Sequence, residues 1–320
     1  MRKEKVTVKN QKVAVLMATY NGERYLEEQI DSILNQTYKD IDLYIRDDNS
    51  IDNTNDIINK YAMKYSEIIT IVNDERIAKG ATSNFLFLLE HVYNMNKYDI
   101  FMFSDQDDVW LEDKVEKTIE AYDKIQNKQQ PILIHTDLNV VDANLNTIDK
   151  SFMKYSNLKY NYNKFNNYLV QNNVTGCTIL INKELARLIK YDIKNILMHD
   201  WYFALLASAF GQVIFINTPT IKYRQHGNNT VGAKKGNNNL KSLLKKLKNN
   251  KIKSGQIKLL AQAKEFEKTY NEKLNSKNQR ILKEFIDIPN MNRINKIRVI
   301  IRNKLYRQTF FQIIGEMMFF

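Results

Sequence analysis

Residues 15–54 read "VLMATYNGERYLEEQIDSILNQTYKDIDLYIRDDNSIDNT", and this stretch decides the fold. It continues an uninterrupted apolar run, "VAVLMAT" at 13–19, which is typical of a strand buried on both faces of a parallel sheet. The next segment places Leu26, Ile30 and Ile33 at helical spacing, and "DLYIRDD" then predicts a second strand. A strand, a helix and a strand joined by short turns predict an α/β fold.

The same alternation continues along the chain. Four further segments, "TNDIINKYAMKY", "IITIV", "SNFLFLLEHVY" and "YDIFMF", predict a helix, a strand, a helix and a strand. We expect a mostly parallel sheet flanked by helices, and residues 131–226 should extend the same domain. In such sheets ligands bind at the carboxyl ends of the strands. The polar clusters "TYNG", "DDNS" and "SDQDD" each follow a strand, so they should meet at one edge of the sheet.

The composition favours a folded protein of a reducing compartment. The chain has 320 residues, of which 43% are hydrophobic and only three are proline, which is enough apolar material for a large core. The single cysteine, Cys177, argues against an intrachain disulfide framework and against a cysteine-based zinc site. The charged start has no apolar region behind it, and no apolar run approaches about 18 residues, so we expect a cytoplasmic chain without a spanning helix.

The positive charge of the chain is concentrated near its C-terminus. The net charge is +12, yet residues 1–230 hold 27 Lys and Arg against 30 Asp and Glu, whereas residues 231–320 hold 21 against six. A Gly- and Asn-rich segment, "GNNTVGAKKGNNN", separates the two parts. We therefore predict an α/β domain over 1–233 and a basic helical extension over 234–320.

The basic extension has two interpretations that the sequence leaves open. Its segments "NLKSLLKKLKNNKIK" and "INKIRVIIRNKLYRQTFF" are amphipathic, a pattern suited to an anionic membrane surface such as the inner face of the plasma membrane. Alternatively, the apolar face packs on the first domain or on another subunit of a homo-oligomer. A nucleic-acid-binding protein is a third class, but the near-neutral first 230 residues and the lack of a recognised nucleic-acid motif argue against it. One apolar face of the extension is formed by Leu240, Leu243, Leu244 and Leu247.

Two clusters of acidic residues follow predicted strands. "SDQDDVW" at 104–110 crowds Asp105, Asp107 and Asp108, and clustered oxygens at this position suit Mg²⁺ or Mn²⁺ together with phosphate oxygens. A helix dipole explains one or two of these acids, but not three beside a buried strand. In "RDDNS", Asp47 and Asp48 either accept hydrogen bonds from a nucleoside or cap the next helix.

Three motifs in the second half of the predicted domain carry further candidates. In "MHDWYF", Asp200 opens an almost wholly apolar helix, where it is either a general base with a tuned pKa or an N-cap. In "YRQHGNNT", Arg224 suits a phosphate, and His226 is either a metal ligand or a packed residue. In "TGC", Gly176 allows close approach of a substrate, and the adjacent cysteine is more typical of a buried filler than of a nucleophile.

Taken together, these stretches resemble family-two glycosyltransferases of the GT-A fold. The matching segments cover about residues 12–233 and occur in the order of the family. Their sequences are most similar to those of bacterial rhamnosyltransferases that use dTDP-rhamnose to build cell-surface polysaccharide. Further matching segments beyond the opening stretch are "FMFSDQDDVW", "NNVTGCTILIN", "MHDWYFALLA" and "IKYRQHGNNTVG".

The resemblance implies a role for each matching residue. Asp200 would be the catalytic base, and Asp107 the metal ligand with His226, although Asp108 stays open as the ligand instead. The family usually has Glu-Asp where this chain has His199-Asp200, which leaves the role of the first position undefined. The donor would be held by Thr19, Tyr20, Asp47, Asp105 and Arg224, and the acceptor side would include Gly176 and Trp201.

The resemblance also implies the reaction and its partners. An inverting displacement, dependent on Mn²⁺ or Mg²⁺, would move L-rhamnose from dTDP-rhamnose onto a glycan or lipid-linked acceptor. The same fold with a UDP-hexose or UDP-N-acetylhexosamine donor stays open. Two other classes are a nucleotide-sugar-binding scaffold without activity and a nucleotidyltransferase. The matched aspartates argue against the first, and the lack of a Gly-rich phosphate loop argues against the second.

Overall fold

The structure is a computed structural model that describes residues 11–78, 80–227, 232–233, 235 and 251–309. Nine strands form one sheet within the described residues. They are β1 Val13–Thr19, β2 Ile41–Asp47, β3 Ile69–Ile71, β4 Ile100–Ser104, β5 Val109–Trp110, β6 Ile132–Val141, β7 Thr147–Asp149, β8 Leu180–Asn182 and β9 Gln212–Arg224. The helices are α1 Leu26–Leu34, α2 Thr54–Lys64, α3 Ala81–Asn94, α4 Lys114–Asp123, α5 Phe152–Tyr155, α6 Phe165–Tyr168, α7 Lys183–Leu188, α8 His199–Phe210, α9 Lys251–Tyr270, α10 Ser276–Asp287 and α11 Arg293–Arg302.

The sheet has the order β3-β2-β1-β4-β8-β6-β9-β5, with β7 added beside β6. Strands β3, β2, β1 and β4 pair in parallel, β8 is antiparallel to both of its neighbours, and β6 pairs in parallel with β9. The predicted mostly parallel α/β sheet is therefore confirmed. "VIFI" and "IKYRQHG" contribute to one long strand, whose register against β6 shifts near Pro219, a residue without an N–H for the ladder.

Strand β1 supplies both layers of the core, because successive side chains of a strand point to opposite faces. Val13, Val15 and Met17 pack in a cluster with Leu26 and Ile30 of α1. The alternating residues Ala14 and Leu16 pack in a second cluster with α3 and α8. This burial on both faces explains why the strand reads as a continuous apolar run in the sequence.

The described C-terminal helices pack on the same core as the sheet. Leu259, Phe266 and Phe285 are buried in the cluster that includes α3 and α8, and the Phe266 ring lies 5.7 Å from Phe165. This packing agrees with one of the two interpretations of the extension. The face formed by Leu240, Leu243, Leu244 and Leu247 lies outside the described residues, and the division at residue 233 stays a prediction. In the part of the chain that is described, no helix is both long and apolar enough to cross a bilayer.

Candidate active site

A cleft of about 1440 Å³ lies beyond the carboxyl ends of β1 and β4. The loops that follow these strands contact each other through Gln106, whose amide accepts from the Tyr20 N–H at 2.8 Å and donates to the Tyr20 carbonyl at 2.9 Å. The loop after β2 joins them, since Asn21 N donates to Ser50 Oγ at 2.8 Å. The three polar loops therefore meet at one edge of the sheet, as their positions directly after strands predicted.

Asp105 and Asp107 both line this cleft. Asp107 Oδ2 lies 2.7 Å from His226 Nε2, so a carboxylate oxygen and an imidazole nitrogen meet at one point. Burial, followed by the nearby charges of Asp107 and Asp200, raises the pKa of Asp105 to about 7. Three carboxyl groups therefore share one low-dielectric region, which favours a bound cation.

Asp108 is fully buried and does not line the cleft. Its Oδ1 accepts from the Arg224 backbone N–H at 3.1 Å, and Oδ2 has no hydrogen-bond partner among the described residues. Burial raises its pKa well above the ordinary value. Ligand atoms of Asp105, Asp108 and Cys177 lie within 4.8 Å of one another, but the last two are closed off from the cleft. The geometry thus separates Asp107, which faces the cleft, from Asp108 beneath it.

The guanidinium of Arg224 is buried and supports the acidic loop from behind. Its Nε donates to the Asp107 carbonyl at 2.8 Å and Nη1 donates to the Ala143 carbonyl at 2.7 Å. Nη2 pairs with Glu28, and the group stacks on Tyr25 at 4.4 Å. Arg224 does not line the cleft. In this structure Arg224 helps to fix the position of Asp107, and its predicted phosphate contact stays a prediction.

Of the two carboxylates that follow β2, one lines the cleft and the other does not. Asp47 accepts hydrogen bonds from Thr19 Oγ1 at 2.8 Å and from Ser50 N at 2.7 Å, and it does not line the cleft. Asp48 does line the cleft, and it accepts from Ala78 N at 2.8 Å and pairs with buried Arg46 at 3.6 Å. The sequence named both acids as candidates, but it did not indicate which of these two adjacent residues faces the cleft.

Asp200 lies in the first turn of α8, lines the cleft and is only 4% exposed. Its Oδ1 accepts from the Trp201 backbone N–H at 2.5 Å, and it also accepts a backbone hydrogen bond from Gly176. Burial outweighs these two hydrogen bonds and raises the pKa of Asp200 to about 7. A carboxylate with this pKa takes up and releases a proton near neutral pH, which is the property of a general base.

Two cationic residues of the cleft were not among the predicted site residues. Lys258 of α9 and Arg307, which follows α11, both line it together with Trp201. The sequence placed Arg307 in the basic amphipathic segment at 294–311 and Lys258 five residues after the one that ends at residue 253, but it pointed to a ligand at neither position. Their place in the cleft follows from the packing of α9 to α11 on the core, which a local pattern does not record.

The comparisons with known proteins agree with this geometry. The model of the family "Glycosyl transferase family 2" matches residues 14–189, more than half of the chain. The chain belongs to glycosyl transferase family 2. It is 35% identical over 225 residues to the dTDP-rhamnosyl transferase RfbG of Shigella flexneri, an alignment that covers 68% of this chain and 74% of the relative. The O-antigen biosynthesis glycosyltransferase WbnJ of Escherichia coli is 30% identical over 177 residues, covering 54% and 62%.

The fold comparison gives the same family fold. The crystal structure of S. aureus TarS 1–349 in complex with UDP-GlcNAc matches with a TM-score of 0.54 at 13% identity, covering 89% of this chain and 82% of that one. The predicted GT-A fold and the predicted membership of glycosyl transferase family 2 are both confirmed. The chain is therefore a glycosyltransferase, and the inactive-scaffold and nucleic-acid alternatives are set aside.

Proposed function

We propose that this glycosyltransferase moves L-rhamnose from dTDP-rhamnose, with inversion, onto a glycan or lipid-linked acceptor of cell-surface polysaccharide. One observation carries the reaction type: the buried carboxyl of Asp200 lines the same cleft as the pair Asp105 and Asp107. The choice of sugar is supported by the similarity to the dTDP-rhamnosyl transferase of Shigella flexneri.

Asp200 acts as the base. Its deprotonated carboxylate removes the proton from an acceptor hydroxyl, and the oxygen attacks the anomeric carbon as the bond to the diphosphate breaks. The backbone N–H groups of Trp201 and Gly176 hold the carboxylate in place. One displacement inverts the anomeric carbon, so a β-linked donor gives an α-rhamnoside and no covalent enzyme intermediate forms.

The donor nucleoside occupies the side of the cleft formed by the loops after β1 and β2. Tyr20 is 57% exposed and lines the cleft, so its ring is available to stack on a base. Asp48 presents a carboxylate that accepts from an imide N–H or a ribose hydroxyl. Asp47 serves the same side by holding the hydroxyl of Thr19, which lines the cleft. Asp105 lies beside them on the ribose side.

The residues at the edge of β4 fit a divalent cation. Asp107 Oδ2 and His226 Nε2 face each other at 2.7 Å, and a carboxylate with an imidazole suits Mn²⁺, or Mg²⁺ with further oxygen ligands. Asp107 and His226 would hold the ion, and Arg224 fixes the loop that carries Asp107. When bound, the ion stabilises the negative charge of the leaving diphosphate.

The acceptor occupies the side formed by Gly176, Trp201 and the C-terminal helices. Lys258 and Arg307 add positive charge there, which suits a lipid-linked acceptor that carries phosphate groups.

The "α11 surface", which we define as Arg293, Ile294, Arg298 and Ile301, is exposed; its two isoleucines are 71% and 50% exposed. Exposed isoleucines beside arginines suit a peripheral contact with an anionic leaflet. Because α11 is followed within a few residues by Arg307 of the cleft, such a contact would bring a lipid-linked acceptor close to Asp200.

A donor panel tests this proposal. dTDP-rhamnose, UDP-glucose, UDP-galactose and UDP-N-acetylhexosamines are compared in Mn²⁺, in Mg²⁺ and in a chelator, by thermal shift and by donor hydrolysis. We expect dTDP-rhamnose with a divalent cation to give the largest shift and the fastest hydrolysis. A UDP-sugar that exceeds it in both measurements would replace rhamnose as the donor.

A further inference from the structure

His199 is a second polar side chain at the start of α8, directly before Asp200. It lines the cleft and is only 3% exposed. Its ring is surrounded by aromatic side chains, with centroids 4.4 Å from Phe85, 6.0 Å from Phe103 and 5.8 Å from Phe203. An imidazole in this apolar position needs an explanation, because an aromatic residue without nitrogens would fill the same space.

Neither ring nitrogen of His199 has a hydrogen-bond partner in the part of the chain that is described. Burial lowers the pKa of His199 to about 3, so the ring is neutral at any working pH and offers one donor and one acceptor. Buried polar atoms are nearly always paired in folded proteins, and a pair of unpaired nitrogens at a cleft wall points to a partner that binds there.

Gly176 leaves room for this ring on its own side of the cleft. A Cβ built at Gly176 would lie 2.6 Å from His199 Nε2 and 3.0 Å from Cε1, so any larger residue would require the His199 ring to move. The same glycine donates its backbone N–H to Asp200. Gly176 therefore lies against the His199 ring and also donates to Asp200, so the three residues lie together on the wall that we assign to the acceptor.

We propose that His199 hydrogen-bonds a hydroxyl group of the acceptor sugar, next to the hydroxyl that Asp200 deprotonates, and so selects the acceptor. The proposal rests on the proposed function, since it needs an acceptor beside Asp200. A neutral ring among phenylalanines suits an uncharged hydroxyl on a sugar with apolar C–H faces, and not a phosphate. It assigns a role to the position at which this chain has His in place of the usual Glu.

The test compares His199→Phe with His199→Asn and His199→Gln. Phenylalanine keeps the ring packing and removes both nitrogens, whereas the amide of Asn reaches the place of Nδ1 and that of Gln the place of Nε2. The acceptor probes are octyl α-L-rhamnoside, octyl β-D-galactoside and octyl N-acetyl-β-D-glucosaminide, used with the donor that is fastest in the panel. His135→Phe is the matched control, because His135 is also buried with a pKa lowered to about 3 but does not line the cleft.

We expect His199→Phe to fold with equal or greater thermal stability and to raise the acceptor KM by about tenfold or more. One of the two amide variants should recover part of that loss. Donor hydrolysis, in which water replaces the acceptor, should stay within about twofold of the wild type in every variant, as should the acceptor KM of His135→Phe.

An acceptor KM for His199→Phe within twofold of the wild type would overturn the proposal, as would a loss that donor hydrolysis shares equally and neither amide restores. If His199→Phe does not fold, the Asn and Gln variants decide, because a packing role predicts the same acceptor KM for both at equal stability. Failure of dTDP-rhamnose in the panel would overturn the proposed donor and leave this comparison intact.

Discussion

Replacing Asp200 with asparagine should stabilise the fold while it abolishes the chemistry. The carboxyl is 4% exposed, and burial raises its pKa from 3.8 to about 7. One pKa unit corresponds to about 1.4 kcal/mol, so holding the ionised carboxylate in the folded state above pH 7 costs roughly 4 kcal/mol. Asparagine is neutral at every pH, so this cost is absent from the variant.

The pH dependence of stability isolates this cost. Below pH 3.8 both states of the wild type hold the proton; as the pH rises toward 7, the unfolded state releases a proton that the folded state keeps, and the free energy of unfolding falls. Between pH 5 and pH 8 the stability of Asp200→Asn relative to the wild type should grow by roughly 2–3 kcal/mol. The amide also loses one hydrogen bond from the backbone at Gly176, but that loss is nearly the same at both pH values.

Urea unfolding at pH 5 and pH 8, followed by tryptophan fluorescence, measures the change. Glu67→Gln is the control, since Glu67 is exposed and its replacement should not change the pH dependence of stability.

In the same samples, transfer by Asp200→Asn should fall by about 10²–10⁴-fold, while the thermal shift produced by the donor is retained. Equal pH dependence of the variant and the wild type would refute the account of the buried carboxyl. Turnover of the variant within tenfold of the wild type would refute its role as the base.

Three further predictions concern the metal, the acceptor and the membrane. Asp107→Asn should remove the Mn²⁺-dependent part of the nucleotide thermal shift, whereas Asp108→Asn should keep it; the opposite result would exchange their roles. Lys258→Ala should raise the KM of a phosphate-bearing acceptor about three- to tenfold and leave the KM of a neutral glycoside unchanged, because surface charge acts on the anion. Ile294→Asp with Ile301→Asp should lower binding to vesicles with anionic lipid severalfold in a sedimentation assay, and unchanged binding would remove α11 from any membrane contact.

The parts of the fold that the sequence predicted are those with a local cause. Strand β1 matches its predicted range of 13–19 because residues 13–17 are buried in the two clusters on either face of the sheet. Helix α1 begins at Leu26, the first of its residues with helical spacing, because the preceding "ERY" continues the turn over Gly22 that brings the loop to the cleft. Periodicity reports which residues are buried, but not where a turn gives way to a helix.

The parts of the site that the sequence missed depend on contacts between distant segments. Arg224 has the chemistry of a phosphate ligand, yet the structure places it behind the loop, where it holds the Asp107 carbonyl. Lys258 reaches the cleft only because α9 packs on the core. Adjacent acids such as Asp107 and Asp108 differ in burial, a property that neither their type nor their spacing records.

The anomeric configuration of the product tests the central claim most directly. The wild-type enzyme is incubated with β-linked dTDP-L-rhamnose, a divalent cation and an octyl glycoside, and the new linkage is assigned by NMR. A single displacement with Asp200 as the base predicts an α-L-rhamnoside. A β-L-rhamnoside would mean that the configuration is retained, which a single in-line displacement does not give, and would contradict the mechanism.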